Sequence, residues 1–220
     1  DLKNLITPIS SFLIHTDDRY PPDSPEAEVH ASARRSVRIM TDYVREALFF
    51  SERLAPKYEA VDLGRIFRDV SGLTASRAAR QGVRVSESVN YAGPLTADAV
   101  LLQRMLANLV HNAIDASPPG KTVTLSAGPS RGGWVRLQVA DEGCGIASGD
   151  LQRIFDPYFT TKQYGDDVRG FGLGLTICQK IAHLHEGDIS VRSETGRGTT
   201  VTVDLPSAPP AQPRADTTAP

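Results

Sequence analysis

Three short stretches carry the residues that could do chemistry. They are Asn108-Leu-Val-His111-Asn112-Ala-Ile-Asp115-Ala116, Asp141-Glu-Gly143-Cys-Gly145-Ile146 and Gly170-Phe171-Gly172-Leu173-Gly174-Leu175. On a helix, Asn108 and Asn112 face the same way, with Asp115 and Ala116 one turn further on. An Asn amide oxygen is a hard, neutral ligand for Mg2+, a cation usually shared with substrate phosphates. Asp141 follows the apolar run Val135 to Val139. A buried carboxylate there can accept a hydrogen bond from an exocyclic amine such as that of adenine, and Gly143 and Gly145 let backbone approach a ring. The third cluster opens a helix, whose first N–H groups cradle phosphate. Together these are parts for holding a purine nucleotide with a divalent metal. Taken singly, each has a plainer reading: a polar helix face, an Asp-Glu-Gly turn, a glycine-rich loop. The last is not the dinucleotide fingerprint, because it follows a loop and lacks the acidic partner. Phe155-Asp-Pro-Tyr-Phe-Thr160-Thr161-Lys162 adds a cation and two hydroxyls beside the phosphate region, with aromatics to anchor the loop.

The elements that must position these residues read as two units. Asp1 to about Thr16 is a helix with Leu2, Leu5, Ile6, Ile9 and Leu13 on its apolar side and Pro8 inside it. A proline-rich loop covers Arg19 to Glu26. A second helix runs from Ala27 to about Leu54, with Val29, Ala33, Val37, Met40, Val44 and Leu48 at heptad-like spacing. A lone hairpin cannot bury both apolar faces, so pairing with a second copy into a four-helix bundle is expected. Residues 1–55 form this hairpin and residues 56–60 a linker. Residues 61–206 then read as an α/β sandwich with a mixed sheet, giving an α+β chain overall. Its expected elements are a strand at Val61–Leu63 and helices at 63–80, 97–116 and 173–185. Further strands are expected at 83–89, 122–127, 134–140, 189–193 and 199–205. A short helical turn is placed at Gln152–Phe155 and a mobile loop at 156–170. Residues 207–220, rich in Pro, Ala and Thr, read as a disordered tail.

Composition sets wide bounds. A chain of 220 residues with 40% apolar and 23% charged content is ordinary for a globular protein. A net charge of −2 gives no nucleic-acid footprint. No apolar run approaches the roughly 18 residues of a membrane span, so no membrane contact is expected of this stretch. Cys144 and Cys178 lack metal-ligand spacing and read as reduced thiols. The chain begins with Asp1 and not Met, so a longer parent, anchored upstream or not, is expected. A cytoplasmic location fits.

The ordered boxes resemble the catalytic ATP-binding domain of bacterial sensor histidine kinases, in the Bergerat-fold superfamily shared with gyrase, Hsp90 and MutL. The resemblance covers about residues 61 to 206, including the closing Gly196-Arg-Gly-Thr199. The Phe-Thr-Thr-Lys form looks like the nitrogen-regulation subfamily. The resemblance implies that Asn112 binds Mg2+, that Asp141 reads adenine, and that Gly170 to Gly174 with Lys162 meet the phosphates of ATP. The wider nucleotide set it implies is Asn108, His111, Asp115, Ala116, Gly143, Gly145, Ile146, Phe155, Thr160, Thr161, Arg169, Phe171, Leu173, Leu175 and Thr199. Residues 156 to 170 look like the ATP lid, and Phe171 stands where the family more usually has a small residue or Thr. ATP-hydrolysing members carry a Glu general base where this chain has Asn108. An amide cannot take a proton from water at neutral pH, which favours transfer to a nucleophile brought from elsewhere.

Asp1-Leu-Lys-Asn4 resembles the phosphotransfer helix of the same kinases, where a His, an acid, two residues and then Asn or Thr follow in order. The acceptor His would immediately precede Asp1; Asp1, Asn4 and Lys162 take the catalytic roles. A response-regulator receiver domain is the implied second partner, beside a homodimeric copy. His15 and His30 flank the hairpin turn and His183 and His185 end a helix; all read as structural or exposed. Two other functions compete with the kinase reading: a superfamily ATPase driving a conformational change, and a dimerising scaffold with an empty pocket.

Overall fold

The computed structural model describes residues 2–52, 54–161 and 171–208. Helix α1 spans Leu2–His15, continuing through Pro8, and α2 spans Pro25–Ser51. The second helix starts earlier than the apolar pattern suggests, because Ser24 caps it and Pro25 supplies its first residue. Ser24 Oγ accepts from the Ala27 N–H at 3.1 Å, and the fixed φ of proline suits a first helical position. A polar latch closes the turn between the helices. Buried His30 places Nε2 2.9 Å from Thr16 Oγ1 and packs its ring 5.1 Å from that of Tyr20. Asp17 pairs with Arg34 and lies 3.5 Å from His30.

The second unit is two-layered. Strand β1 (Glu59–Ala60) pairs antiparallel with β3 (Thr96–Ala97). Between them come α3 (Leu63–Gln81) and β2 (Arg84–Val89). There follow α4 (Ala99–Ala116), β4 (Thr122–Pro129), β5 (Trp134–Asp141), α5 (Gly174–Leu184), β6 (Asp188–Glu194) and β7 (Gly198–Pro206). The main sheet has the order β2-β4-β5-β7-β6, parallel between β2 and β4 and antiparallel elsewhere. Alternation along β4 and β5 sends Val123, Leu125, Val135, Leu137 and Val139 inward. They meet Phe67 and Val70 of α3, Leu102, Met105, Leu106 and Ile114 of α4, and Ile177 and Ile181 of α5. The outer face is polar: Arg136 grips Asp204 with two bonds of 2.9 Å, and Gln138 donates to Thr202 at 3.0 Å.

Two expectations are corrected. The strand expected at Val61–Leu63 lies instead at Glu59–Ala60, inside the expected linker. The chain cannot stay extended past Val61, because Asp62 caps α3 by accepting from the Arg65 N–H at 3.1 Å. Gln152–Phe155 is a run of turns and not a helix, held by bonds from Asp150 to Ala147, Arg153 to Asp150 and Asp156 to Arg153. Strand β3 was not foreseen at all.

The hairpin docks on the second unit through the end of α2. Lys180 Nζ donates to the carbonyls of Phe49, Phe50 and Glu52 at 3.1, 2.6 and 2.7 Å. These are carbonyls a helix end leaves unpaired, at its negative pole. Phe49 is buried within the core of the second unit, with the Arg104 guanidinium 3.5 Å over its ring. Burial pushes the Glu46 carboxyl up and Arg104 down from their ordinary pKa values, and each charge opposes the other's shift. Tyr43 of α2 meets Phe171 edge-on, with ring centroids 5.0 Å apart.

Candidate functional site

The site is built where the end of β5, the end of α4 and the start of α5 converge. Asp141 closes β5. Its Oδ1 accepts from the Gly143 N–H at 2.8 Å and the Thr199 N–H at 3.1 Å. Burial raises its pKa above the usual carboxylate range, and the two N–H bonds pull it back only in part. Both bonds go to Oδ1, so Oδ2 is the oxygen that an incoming amine would meet. The following turn is pinned to α4 by a bond of 3.1 Å from the Cys144 N–H to the Ala116 carbonyl.

The glycines of this turn serve a purpose the sequence did not suggest. A Cβ on Gly143 would sit 2.5 Å from the Ala116 oxygen, and one on Gly145 (φ 69°) would collide with the Glu194 carbonyl. Close approach of backbone to backbone therefore requires them, whatever ring lies beyond. Ser193 holds the arrangement together. Its Oγ accepts from the Ile146 N–H at 2.8 Å, donates to the Gly198 carbonyl at 3.0 Å and lies 2.9 Å from Thr199 Oγ1. The sequence reading missed Ser193, a lone serine in a strand with no spacing signal. Thr199 does stand beside Asp141.

Asn108 and Asn112 lie half-buried on one face of α4, as their spacing predicts. A Cβ on Gly174 would sit 3.8 Å from Asn112 Nδ2, so the first turn of α5 abuts Asn112. Gly172 (φ 71°) accepts from the Tyr158 N–H at 3.0 Å. Thr176 Oγ1 donates to the Phe155 carbonyl at 2.9 Å. Residues 155–159 are thereby laid across the start of α5. Leu173 is buried; Ile146, Leu175, Thr160 and His111 are half-buried, and Thr161 is exposed. Asp115 has a partner inside the protein, since Arg77 binds it at both oxygens, at 2.7 and 2.8 Å. Lys162, Arg169, Gly170 and Asp1 lie outside the described residues. Asn4 is exposed on α1, away from this convergence in sequence and element.

Among the described residues, no cluster of three His, Cys, Asp or Glu could hold a metal. A hard cation would depend on an amide oxygen and on what a ligand brings. His185 is structural: Nε2 accepts from the Asp98 N–H at 3.0 Å and Nδ1 donates to Ile181 O at 2.8 Å, which fixes the neutral tautomer. Asp98 in turn caps α4 through the Leu101 N–H at 2.9 Å and accepts from the Lys57 N–H at 2.8 Å. Cys178 is buried and its thiol is pushed up in pKa by burial, leaving it unreactive.

Residues 97–209 match the family described as histidine kinase-, DNA gyrase B- and HSP90-like ATPase. The chain belongs to this family. Among its relatives, the signal transduction histidine-protein kinase AtoS of Escherichia coli is 28% identical over 95% of this chain and 34% of its own length. The structure of full-length ShkA in complex with AMPPNP has a TM-score of 0.77 at 25% identity, over 95% of this chain and 45% of that one. Histidine kinase ThkA in complex with the response regulator protein TrrA shares the fold, with a TM-score of 0.69 at 22% identity. Those figures cover 93% of this chain and 58% of that one. The chain spans between 23% and 34% of the length of three curated relatives. No helix among the described residues is long and apolar enough to cross a membrane.

Proposed function

We propose that this chain is the kinase core of a two-component sensor histidine kinase. It binds ATP with Mg2+ and, in the longer protein, donates the γ-phosphate to a His immediately before Asp1, from which an Asp of a response-regulator receiver domain takes it. The observation that carries the reading is the convergence itself. Asp141, with Oδ1 locked by two backbone N–H groups, stands at one end of α4, and Asn112 meets the glycine-opened start of α5 one turn away. Asp141 Oδ2 accepts from the adenine amine. The Asn112 oxygen supplies a neutral ligand for Mg2+, which when bound neutralises charge on the phosphates. N–H groups at the start of α5 take the phosphate oxygens. Asn108 holds no proton-accepting group toward water, so the site favours transfer over hydrolysis.

AtoS, ShkA with AMPPNP and ThkA with its response regulator support the same reading. So do the exposed Leu5, Ile9, Phe12, Val29 and Met40, which give the hairpin a face for a second copy. The reading places the core on the cytoplasmic side of any membrane anchor in the parent.

Calorimetric titration with AMPPNP and Mg2+ tests the site. Asp141→Ala is expected to weaken binding by more than about tenfold, the size of a hydrogen bond to a charged group. Asn112→Ala weakens it in Mg2+ but not in chelator. Absence of binding to the unaltered chain, or equal binding by Asp141→Ala, would overturn the reading. With labelled ATP, the chain from Asp1 incorporates nothing, and the chain extended to include a preceding His does.

A further inference from the structure

The carboxylate of Asp115 poses an electrostatic problem. Seven residues separate it from Asn108, which on an α-helix is about 20° short of two full turns. Asp115 therefore lies on the same face of α4 as Asn108 and Asn112, the face the proposed nucleotide must share. A bare carboxylate there would repel a polyphosphate. Arg77 of α3 meets it with Nε on Oδ1 at 2.7 Å and Nη2 on Oδ2 at 2.8 Å. Asp115 is 5% exposed and Arg77 32% exposed, so the acid is covered and the guanidinium forms the solvent side of the pair.

A weld between the two helices does not explain the pair. Apolar residues already join α3 to α4, among them Phe67, Val70, Leu102 and Leu106, all fully buried. A covered ion pair adds little stability over apolar residues of similar volume. What it does supply is a fixed charge pattern, with the negative group turned inward and the positive edge left accessible.

We propose that Arg77 is a positioning residue for nucleotide phosphates: by holding Asp115 it makes this face of α4 accept a polyanion. The inference rests on the nucleotide reading above and assigns a role to a residue outside all the family boxes. The pair acts on charge, so it bears on the phosphates and not on neutral adenosine, although the Asp141 turn touches the same end of α4 through Ala116.

The test compares AMPPNP with adenosine, which lacks phosphates, by calorimetry on the whole chain. Arg77→Met is expected to weaken AMPPNP about tenfold, the scale of one charge-assisted bond, and to leave adenosine unchanged. Asp115→Asn keeps the shape, removes the acid and tightens AMPPNP. The double variant recovers most of the affinity lost in Arg77→Met. Equal loss of both ligands in Arg77→Met, unchanged AMPPNP binding, or weaker AMPPNP binding in Asp115→Asn would each overturn the proposal. If Arg77→Met gives no cooperative melt, Asp115→Asn decides alone, because it retains Arg77 and the side chain's size while removing the acid and one of the two Arg77 bonds. Failure of the unaltered chain to bind AMPPNP would instead fell the nucleotide reading itself.

Discussion

Helices α2 and α4 are both amphipathic, yet they end in different surroundings. The 27-residue α2 buries only His30, Val37 and Phe49. The 18-residue α4 buries Leu101, Leu102, Met105, Leu106, Leu109, Val110, Ala113 and Ile114. The apolar stripe of α4 finds a sheet and two helices of its own chain. That of α2 finds one thin helix, and leaves Val29 70% and Met40 47% exposed. A periodic stripe is thus a statement about need and not about which partner meets it. The exposed stripe predicts a partner from outside the chain, and the buried one explains why the face of α4 that carries Asn108 and Asn112 can be rigid.

The largest effect should come from the closed core. Phe67→Ala or Leu106→Ala removes a fully buried side chain and is expected to cost about 3–5 kcal/mol in denaturant unfolding. An exposed hairpin residue should behave oppositely. Phe12→Asp is expected to change unfolding of the sandwich by less than about 0.5 kcal/mol, while the molar mass from light scattering falls from dimer to monomer. A monomer before substitution would break the comparison. Between the two regions, Lys180→Met removes three bonds to the end of α2. It should cost about 1–3 kcal/mol, seen as faster hydrogen exchange at the amides near Ser51 and Glu52 with the sheet unaffected.

The smallest effect on stability is expected at Asp141, and there its sign is informative. Burial raises its folded pKa. The stability it contributes is therefore present below the ordinary carboxylate pKa and lost as pH rises through the raised one. Asp141→Asn keeps an oxygen for both N–H groups and should flatten that loss in thermal melts. Nucleotide affinity runs the other way, falling as pH drops through the raised pKa and the carboxyl gains a proton. Affinity independent of pH through that window would count against Asp141 as the adenine acceptor.

The sequence made the boxes legible because their residues sit within a few positions of one another. Asn108 and Asn112 share a face by helical period, and Gly172 and Gly174 announce α5. The residues that were not legible act across long separations. Arg77 meets Asp115 from 38 residues away, Asp98 meets His185 from 87, and Ser193 reaches Ile146 from 47. No local period records such pairings. Strand β3 has two residues, too few for an alternation to show. Gly143 and Gly145 were read as glycines that let backbone approach, and their tightest constraints are carbonyls from elsewhere in the chain, those of Ala116 at the end of α4 and Glu194 at the end of β6. The pattern reported that backbone must come close there and not what it must come close to.

Phe49 bears on where this protein can be divided. Its place in the sequence belongs to the hairpin, and its side chain belongs to the core of the nucleotide-binding unit. The cooperative unit therefore begins before the linker, inside the last two turns of α2. A catalytic piece started at residue 56 would lose a stopper from its own interior, leaving Arg104 without the ring beneath it and Lys180 without the carbonyls it grips. Excision at that point would remove part of the fold along with the hairpin, and a weakened site in such a piece would report the missing plug before it reported the missing helices.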